Sequence, residues 1–310
     1  MEYIESIKSC QLYEMNRQRL IYEHNPYSIR NISLFHFLYY CLFKFKNFGR
    51  RIKEYNLIDR IDFSDYEQKA CCQTTKIDID YMPKIAVYTC ILGNYDSLNE
   101  PLFKSDYCDF YAFTDFKIGS NSEWKRVDVE LYRAEAGGVL DNSYMNRWIK
   151  MHPHLLFPNY DYSLYVDGNV VVVSDVIPLL IKLIQENNFI SIHQHWSRAF
   201  LETEARAIKA KKNIDINLLD KQIREYQANG YHDEIPLLEA TIILRKHTDI
   251  RCINVMANWW EEFNRFIPRD QISLPYVLWK NGIKKENITF MGNNKYLNPC
   301  FYIMSHIRNN

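Results

Sequence analysis

A chain of 310 residues, 47% hydrophobic and 25% charged, suits one large globular domain with an appendage. Its 38 basic and 38 acidic residues cancel, which excludes a global attraction to nucleic acid. Eight scattered cysteines form no C-x-x-C pair, so no zinc ribbon is expected and reduced thiols in a cytoplasmic protein fit better than a disulfide framework.

The first residues are polar and lack the apolar stretch of a secretory signal. Residues 1–80 mix charges and aromatics at helical spacing and are expected to form a helical N-terminal extension. Within it, the apolar run 34–43 is only about half of the roughly 20 residues a membrane span needs. The basic residues Lys44, Lys46, Arg50, Arg51 and Lys53 follow it. Residues 34–53 therefore read either as a packed helix with a solvated basic end or as a peripheral contact with the inner face of an anionic membrane.

The texture changes at Lys84, and residues 84–306 are expected to form the main domain. Residues 84–92 are β-branched and apolar on both faces, as in a buried strand, and Gly93-Asn94 breaks them. Further strands are predicted at 108–114, 125–130, 162–166, 189–193, 240–245 and 288–291. Helices are predicted at 142–151, after Asp175 with Pro178 in the first turn, and at 200–211, 216–229, 248–265 and 269–281. Strands alternating with helices imply an α/β fold with a mostly parallel, helix-flanked sheet. Ligands of such sheets bind beyond the carboxyl ends of the strands. Polar residues gather at those ends: Asn94, Tyr95 and Asp96, then Asp115, then Asp167 and Asn169.

The sharpest local signal is Tyr165-Val166-Asp167-Gly168-Asn169. An acid leaving a buried strand, then Gly, then a second oxygen ligand, is a compact way to hold Mg²⁺ or Mn²⁺. A tight turn without a ligand explains the same tripeptide. Arg147 and Lys150 lie three apart and share a helix face, either solvated or available to an anion.

Eight ordered blocks over about 220 residues carry a more specific signal. They are residues 87–102 (VYTCILGNYDSLNEPL), 113–115 (FTD), 146–157 (NRWIKMHPHLLF), 165–169 (YVDGN), 202–205 (ETEA), 239–247 (EATIILRKH), 259–263 (WWEEF) and 269–283 (RDQISLPYVLWKNGI). Through them the chain resembles the TOD1/MUCI70 glycosyltransferase-like domain family. The resemblance implies a GT-A-like fold and transfer of a sugar from a nucleotide-sugar donor to a glycan or lipid-linked acceptor. It also implies a divalent cation, Mn²⁺ or Mg²⁺, held by Asp167 and Asn169, with His306 as a third ligand folding back from the C-terminus. Asn169 stands where many relatives carry a second Asp, so it brings no negative charge. The resemblance further places the nucleoside at Gly93, Asn94, Tyr95, Asp96 and Asp115, and the diphosphate at Arg147 and Lys150.

For catalysis and the acceptor, Glu239, Asp270 and His193 are the candidates, each equally readable as a structural hydrogen-bonding residue. His195, Glu202 and Glu204 lie near His193. A role in assembling a bacterial surface polysaccharide fits a cytoplasmic enzyme by analogy. The rivals are a metal-dependent hydrolase using the same Asp and His residues, and a non-catalytic carbohydrate- or nucleotide-binding protein.

Overall fold

A computed structural model describes residues 82–138, 141–210, 214–304 and 306. The helical extension expected at 1–80, with its 34–53 surface, lies outside the described residues. Among the described residues no helix is long and apolar enough to cross a membrane.

The strands are β1 (Ile85–Ile91), β2 (Cys108–Thr114), β3 (Trp124–Asp128), β4 (Tyr162–Val166), β5 (Val170–Val172), β6 (Ile190–Gln194), β7 (Leu238–Lys246), β8 (Thr289–Phe290) and β9 (Phe301–Ile303). The α-helices are α1 (Asn142–Met151), the single turn α2 (Pro153–Leu156), α3 (Ile177–Gln185), α4 (Leu201–Lys209), α5 (Ile216–Ala228), α6 (Ile250–Arg265) and α7 (Asp270–Lys280). Seven strands form one sheet in the order β3-β2-β1-β4-β7-β6-β8, and β5 pairs with β9 in a separate ribbon. Every pairing in the large sheet is parallel except those of β7, which runs against both β4 and β6. This is the mostly parallel, helix-flanked α/β architecture expected from the sequence.

Alternation along the strands builds two packed faces. Ile85 and Val87 of β1, Leu164 of β4 and Leu244 of β7 point to the face that α3 covers through Leu180 and Leu183. Ala86, Tyr88 and Tyr165 point to the other face, where Met145, Trp148 and Ile149 of α1 pack. The second face continues over Ile243, Val255, Trp259 and Leu274, where α6 and α7 cover the sheet. Local chemistry sets the helix ends. Asp141, Asp215 and Asp249 each accept a backbone N–H from the first turn of α1, α5 and α6, and Pro153 follows closely on α1.

β7 has one irregularity that matters for the site. Ile192 of β6 pairs with Ile243, but the next residue, His193, pairs with Glu239. The register passes over Ala240, Thr241 and Ile242, so β7 bulges relative to β6. Because β7 is antiparallel, its beginning lies at the same sheet edge as the ends of β1, β4 and β6. The three-residue strands β5 and β9 are too short to show a period, and the sequence pattern does not reveal them.

Ile243 is fully buried in the central strand between β4 and β6. Ile243→Ala is expected to cost about 2–5 kcal/mol in a urea denaturation series. A cost near zero would mean that this face of β7 is not the packed core described.

Candidate active site

A cleft of about 970 Å³ opens at the carboxyl edge of the sheet. Residues after β1 and β4, the start of β7, one face of α1 and the start of α7 line it. On α1, Ser143, Asn146, Arg147 and Lys150 share the lining face while Met145, Trp148 and Ile149 turn to the core.

Two buried ion pairs form its floor. Lys150, only 1% exposed, places its ammonium 2.6 Å from Asp270 and 3.9 Å from Asp167. Arg147 Nε lies 3.1 Å from the same Asp270 oxygen. Burial alone would raise the Asp270 pKa, but Arg147 and Lys150 override it and hold the carboxyl well below the usual carboxylate range. Trp259 Nε1 donates to the Asp270 carbonyl at 3.0 Å and so fixes the start of α7.

The second pair is Glu239 with Lys295, 2.6 Å apart. Lys295 comes from a 3-10 turn (Lys295–Leu297) and also donates to Thr241 Oγ1 at 2.9 Å. Gln271 Nε2 donates to Glu239, and His195 Nε2 lies 3.6 Å away. Burial again pushes the Glu239 carboxyl up, and Lys295 and His195 more than reverse it. Asp270 and Gln271, adjacent in sequence, thus tie one pair to the other.

The Asp167-Gly168-Asn169 turn closes with Val170 N–H donating to the Asp167 carbonyl at 2.9 Å. Gly168 is not in the left-handed region. It is needed for closeness, because a Cβ there would sit 2.7 Å from Ile91 Cγ1 and 3.3 Å from Asp96 Cβ. The Asp96 side chain therefore lies against this turn. His306 Nδ1 stands 3.1 and 3.0 Å from the two Asp96 oxygens, and its ring is 5.3 Å from that of Tyr95. Asp96, Asp167 and His306 all line the cleft. Among the described residues, no three acidic, His or Cys side chains are already arranged to hold a metal ion.

Other expected site residues have different surroundings. Asn169 lines neither the cleft nor the pocket beside it. Its Nδ2 donates to the Met304 carbonyl at 2.8 Å, and Met304 N–H donates back to the Asn169 carbonyl at 2.8 Å. His193 is fully buried, outside the cleft lining, with Asn298 Nδ2 2.9 Å from its Nε2. Asp115 accepts the Gly93 N–H at 2.8 Å and so pins a loop in which Gly93 and Asn94 both take positive φ. Asn94 and Asp96, with Leu98, Phe116 and Ile118, line a pocket of about 390 Å³ that meets the cleft at Asp96. Lys295 is the site residue with no signal in the sequence: it is a lone cation in a polar turn, and only its tertiary partners mark it.

The family model for the TOD1/MUCI70, glycosyltransferase-like domain matches residues 62–306. The chain is 28% identical over 214 residues to the probable hexosyltransferase MUCI70 of Arabidopsis thaliana, covering 62% of this chain and 37% of that protein. It is 26% identical over 178 residues to the alkaline ceramidase TOD1 of the same plant, covering 53% and 36%. The chain thus spans little more than a third of the length of these relatives. Among solved structures, the apo form of the bifunctional glycosyltransferase WbbM aligns with a TM-score of 0.43 at 13% identity, over 69% of this chain and 40% of that one.

Burial pushes the imidazoles of His152, His193 and His247 down to about 4, 3 and 4. They stay neutral in the fold, whereas the unfolded chain returns them to about 6.5. Between about pH 6.5 and 4 the unfolded state binds more protons, so stability falls as pH falls. Each histidine contributes up to about 1.4 kcal/mol per pH unit. Above pH 7 they add no pH dependence. His193→Gln is expected to flatten this slope in urea titrations at pH 7, 6 and 5. A slope equal to wild type would mean that His193 is not buried neutral.

Proposed function

Because the chain belongs to the TOD1/MUCI70 glycosyltransferase-like family, we propose that it is a glycosyltransferase that takes a nucleotide-diphosphate sugar into the cleft. The observation that carries this reading is the convergence of Arg147, Lys150 and Asp167 on one cleft at the carboxyl edge of the sheet.

In this reading the side pocket lined by Asn94, Asp96 and Phe116 takes the nucleoside, with Asp115 holding its loop. Arg147 and Lys150 face the diphosphate and stabilise charge on the departing nucleotide. Glu239 and Asp270 meet hydroxyls of the transferred sugar or the acceptor. Both are held as carboxylates by their cations, which suits hydrogen-bond acceptance better than proton uptake.

The cleft is lined by four cations, Arg147, Lys150, Arg269 and Lys295, and five carboxylates, Asp96, Asp167, Asp215, Glu239 and Asp270. A bare diphosphate would add negative charge to a lining that is already negative. A divalent cation offsets it, and the donors present suit Mn²⁺ or Mg²⁺: two carboxylates, Asp96 and Asp167, and the His306 imidazole. These residues would hold the cation only together with a bound diphosphate. When bound, such a cation supplies Lewis-acid stabilisation of the leaving diphosphate. Asp96 thereby takes the place assigned to Asn169 from the sequence. A glycan or lipid-linked acceptor, a cytoplasmic setting with peripheral membrane contact, and a role in surface polysaccharide synthesis belong to the same proposal.

The relative named as an alkaline ceramidase favours a second reading, hydrolysis, which would draw on the same Asp and His residues with a bound metal. Product release without acceptor or nucleotide would identify it.

Thermal melting against nucleoside diphosphates and their sugars, with and without Mn²⁺, tests the first reading. One nucleotide at about 100 times its dissociation constant should stabilise the protein by roughly 2.7 kcal/mol, and more weakly without metal. Asp167→Ala and Asp96→Asn are expected to remove the metal-dependent part. Asn169→Ala should lower the baseline melting temperature and weaken the Mn²⁺ response without abolishing it, because the Met304 anchor before His306 is lost. Folded protein that responds to no nucleotide would end the donor-site reading, and loss of the Mn²⁺ response in Asn169→Ala alone would return the ligand role to Asn169.

A further inference from the structure

Behind the cleft, Arg245 of β7 is 0% exposed, in register with Ser163 of β4 and Ile190 of β6. Among the described residues, no ion pair joins Arg245 to a carboxylate. Its Nη1 donates to the Lys150 carbonyl at 2.8 Å and also contacts Met256 Sδ at 3.1 Å. Its Nη2 donates to the Tyr88 hydroxyl, which itself donates to the Lys150 carbonyl at 3.0 Å.

Lys150 lies in the last turn of α1, where carbonyls have no partner within the helix and the helix end carries partial negative charge. That end is what the buried guanidinium answers. A residue serving packing alone would be apolar at this central strand position and would avoid the desolvation cost of a charge. Here the guanidinium donates to one carbonyl directly and to the Tyr88 hydroxyl that bonds the same carbonyl, which belongs to the lysine whose ammonium forms the cleft floor.

We propose that Arg245, seconded by Tyr88, is a positioning residue that fixes the Lys150 backbone so that the Lys150 ammonium stands at Asp270 and Asp167, where an anionic diphosphate is read. The proposal rests on the donor-site reading above. It assigns Arg245 no contact with substrate.

The test is a double-mutant cycle read by calorimetric titration of inorganic pyrophosphate in the presence of Mn²⁺. Wild type should bind. Arg245→Gln, folded by circular dichroism, should weaken binding about tenfold, with Arg245→Lys recovering part of the loss. In a Lys150→Ala background Arg245→Gln should cause no further loss, because its effect passes through Lys150. A merely structural arginine would lower the melting temperature to the same extent in both backgrounds and leave the binding cycle additive. If Arg245→Gln does not fold, Tyr88→Phe takes its place, with a loss of about threefold expected that again vanishes without Lys150. Additive losses, or unchanged binding in a folded Arg245 or Tyr88 variant, overturn the proposal. Folded wild type that does not bind pyrophosphate overturns instead the donor-site reading beneath it.

Discussion

The burial of the Lys150 ammonium constrains everything around it. Taking a charge out of water costs several kcal/mol unless a partner of opposite charge and good geometry receives it. Asp270 is that partner, 2.6 Å away. To satisfy this one ion pair, the last turn of α1 must meet the first turn of α7, and both must close over the end of β4, where Asp167 stands 3.9 Å from the same nitrogen. Trp259 then locks α6 to α7 by donating to the Asp270 carbonyl. The cleft floor is therefore held from the core side, independently of any ligand, and can present charge without reorganising.

The antiparallel course of β7 supplies the other half of the site. Were β7 parallel, Glu239 at its start would lie at the far edge of the sheet. Running against its neighbours, β7 brings Glu239 to the edge where β1 and β4 end, and the register shift over 240–242 lies beside it. Asp167 N–H donates to the Thr241 carbonyl at 2.9 Å, so the bulge also anchors the turn after β4. Lys295 crosses from the C-terminal region to neutralise Glu239. Each floor carboxylate thus has its own cation from a different part of the chain.

Much of this was legible in the sequence, and the exceptions have physical reasons. The strands β1, β2 and β4 announce themselves because burial on both faces demands unbroken apolar runs, and the polar residues that end those runs sit at the cleft edge. The α1 face was readable from the three-residue spacing of Arg147 and Lys150. Pairings at long range were not readable. Nothing local says that Asp115 spends its carboxylate on the Gly93 N–H, or that His193 faces Asn298, 105 residues on. The direction of β7 was also hidden, since an apolar run reads the same in either sense. Lys295 stands in a polar turn where a lysine is unremarked unless its buried partner is known.

Asn169 shows how a motif can keep its place and change its means. A side-chain amide after Asp-Gly suits a cation ligand and a structural hydrogen bond equally, and here its Nδ2 has a structural partner. That partner is the Met304 backbone, bonded in both directions. The pairing of Val170–Val172 with Phe301–Ile303 continues the same junction. Two residues beyond Met304 stands His306, placed on the Asp96 carboxylate. By clamping the chain just before His306, Asn169 helps to hold the imidazole beside Asp96 and the Asp167 turn. Its contribution to the proposed cation site is then the placement of another ligand, which an uncharged amide performs without adding a further carboxylate to a cleft that already carries five.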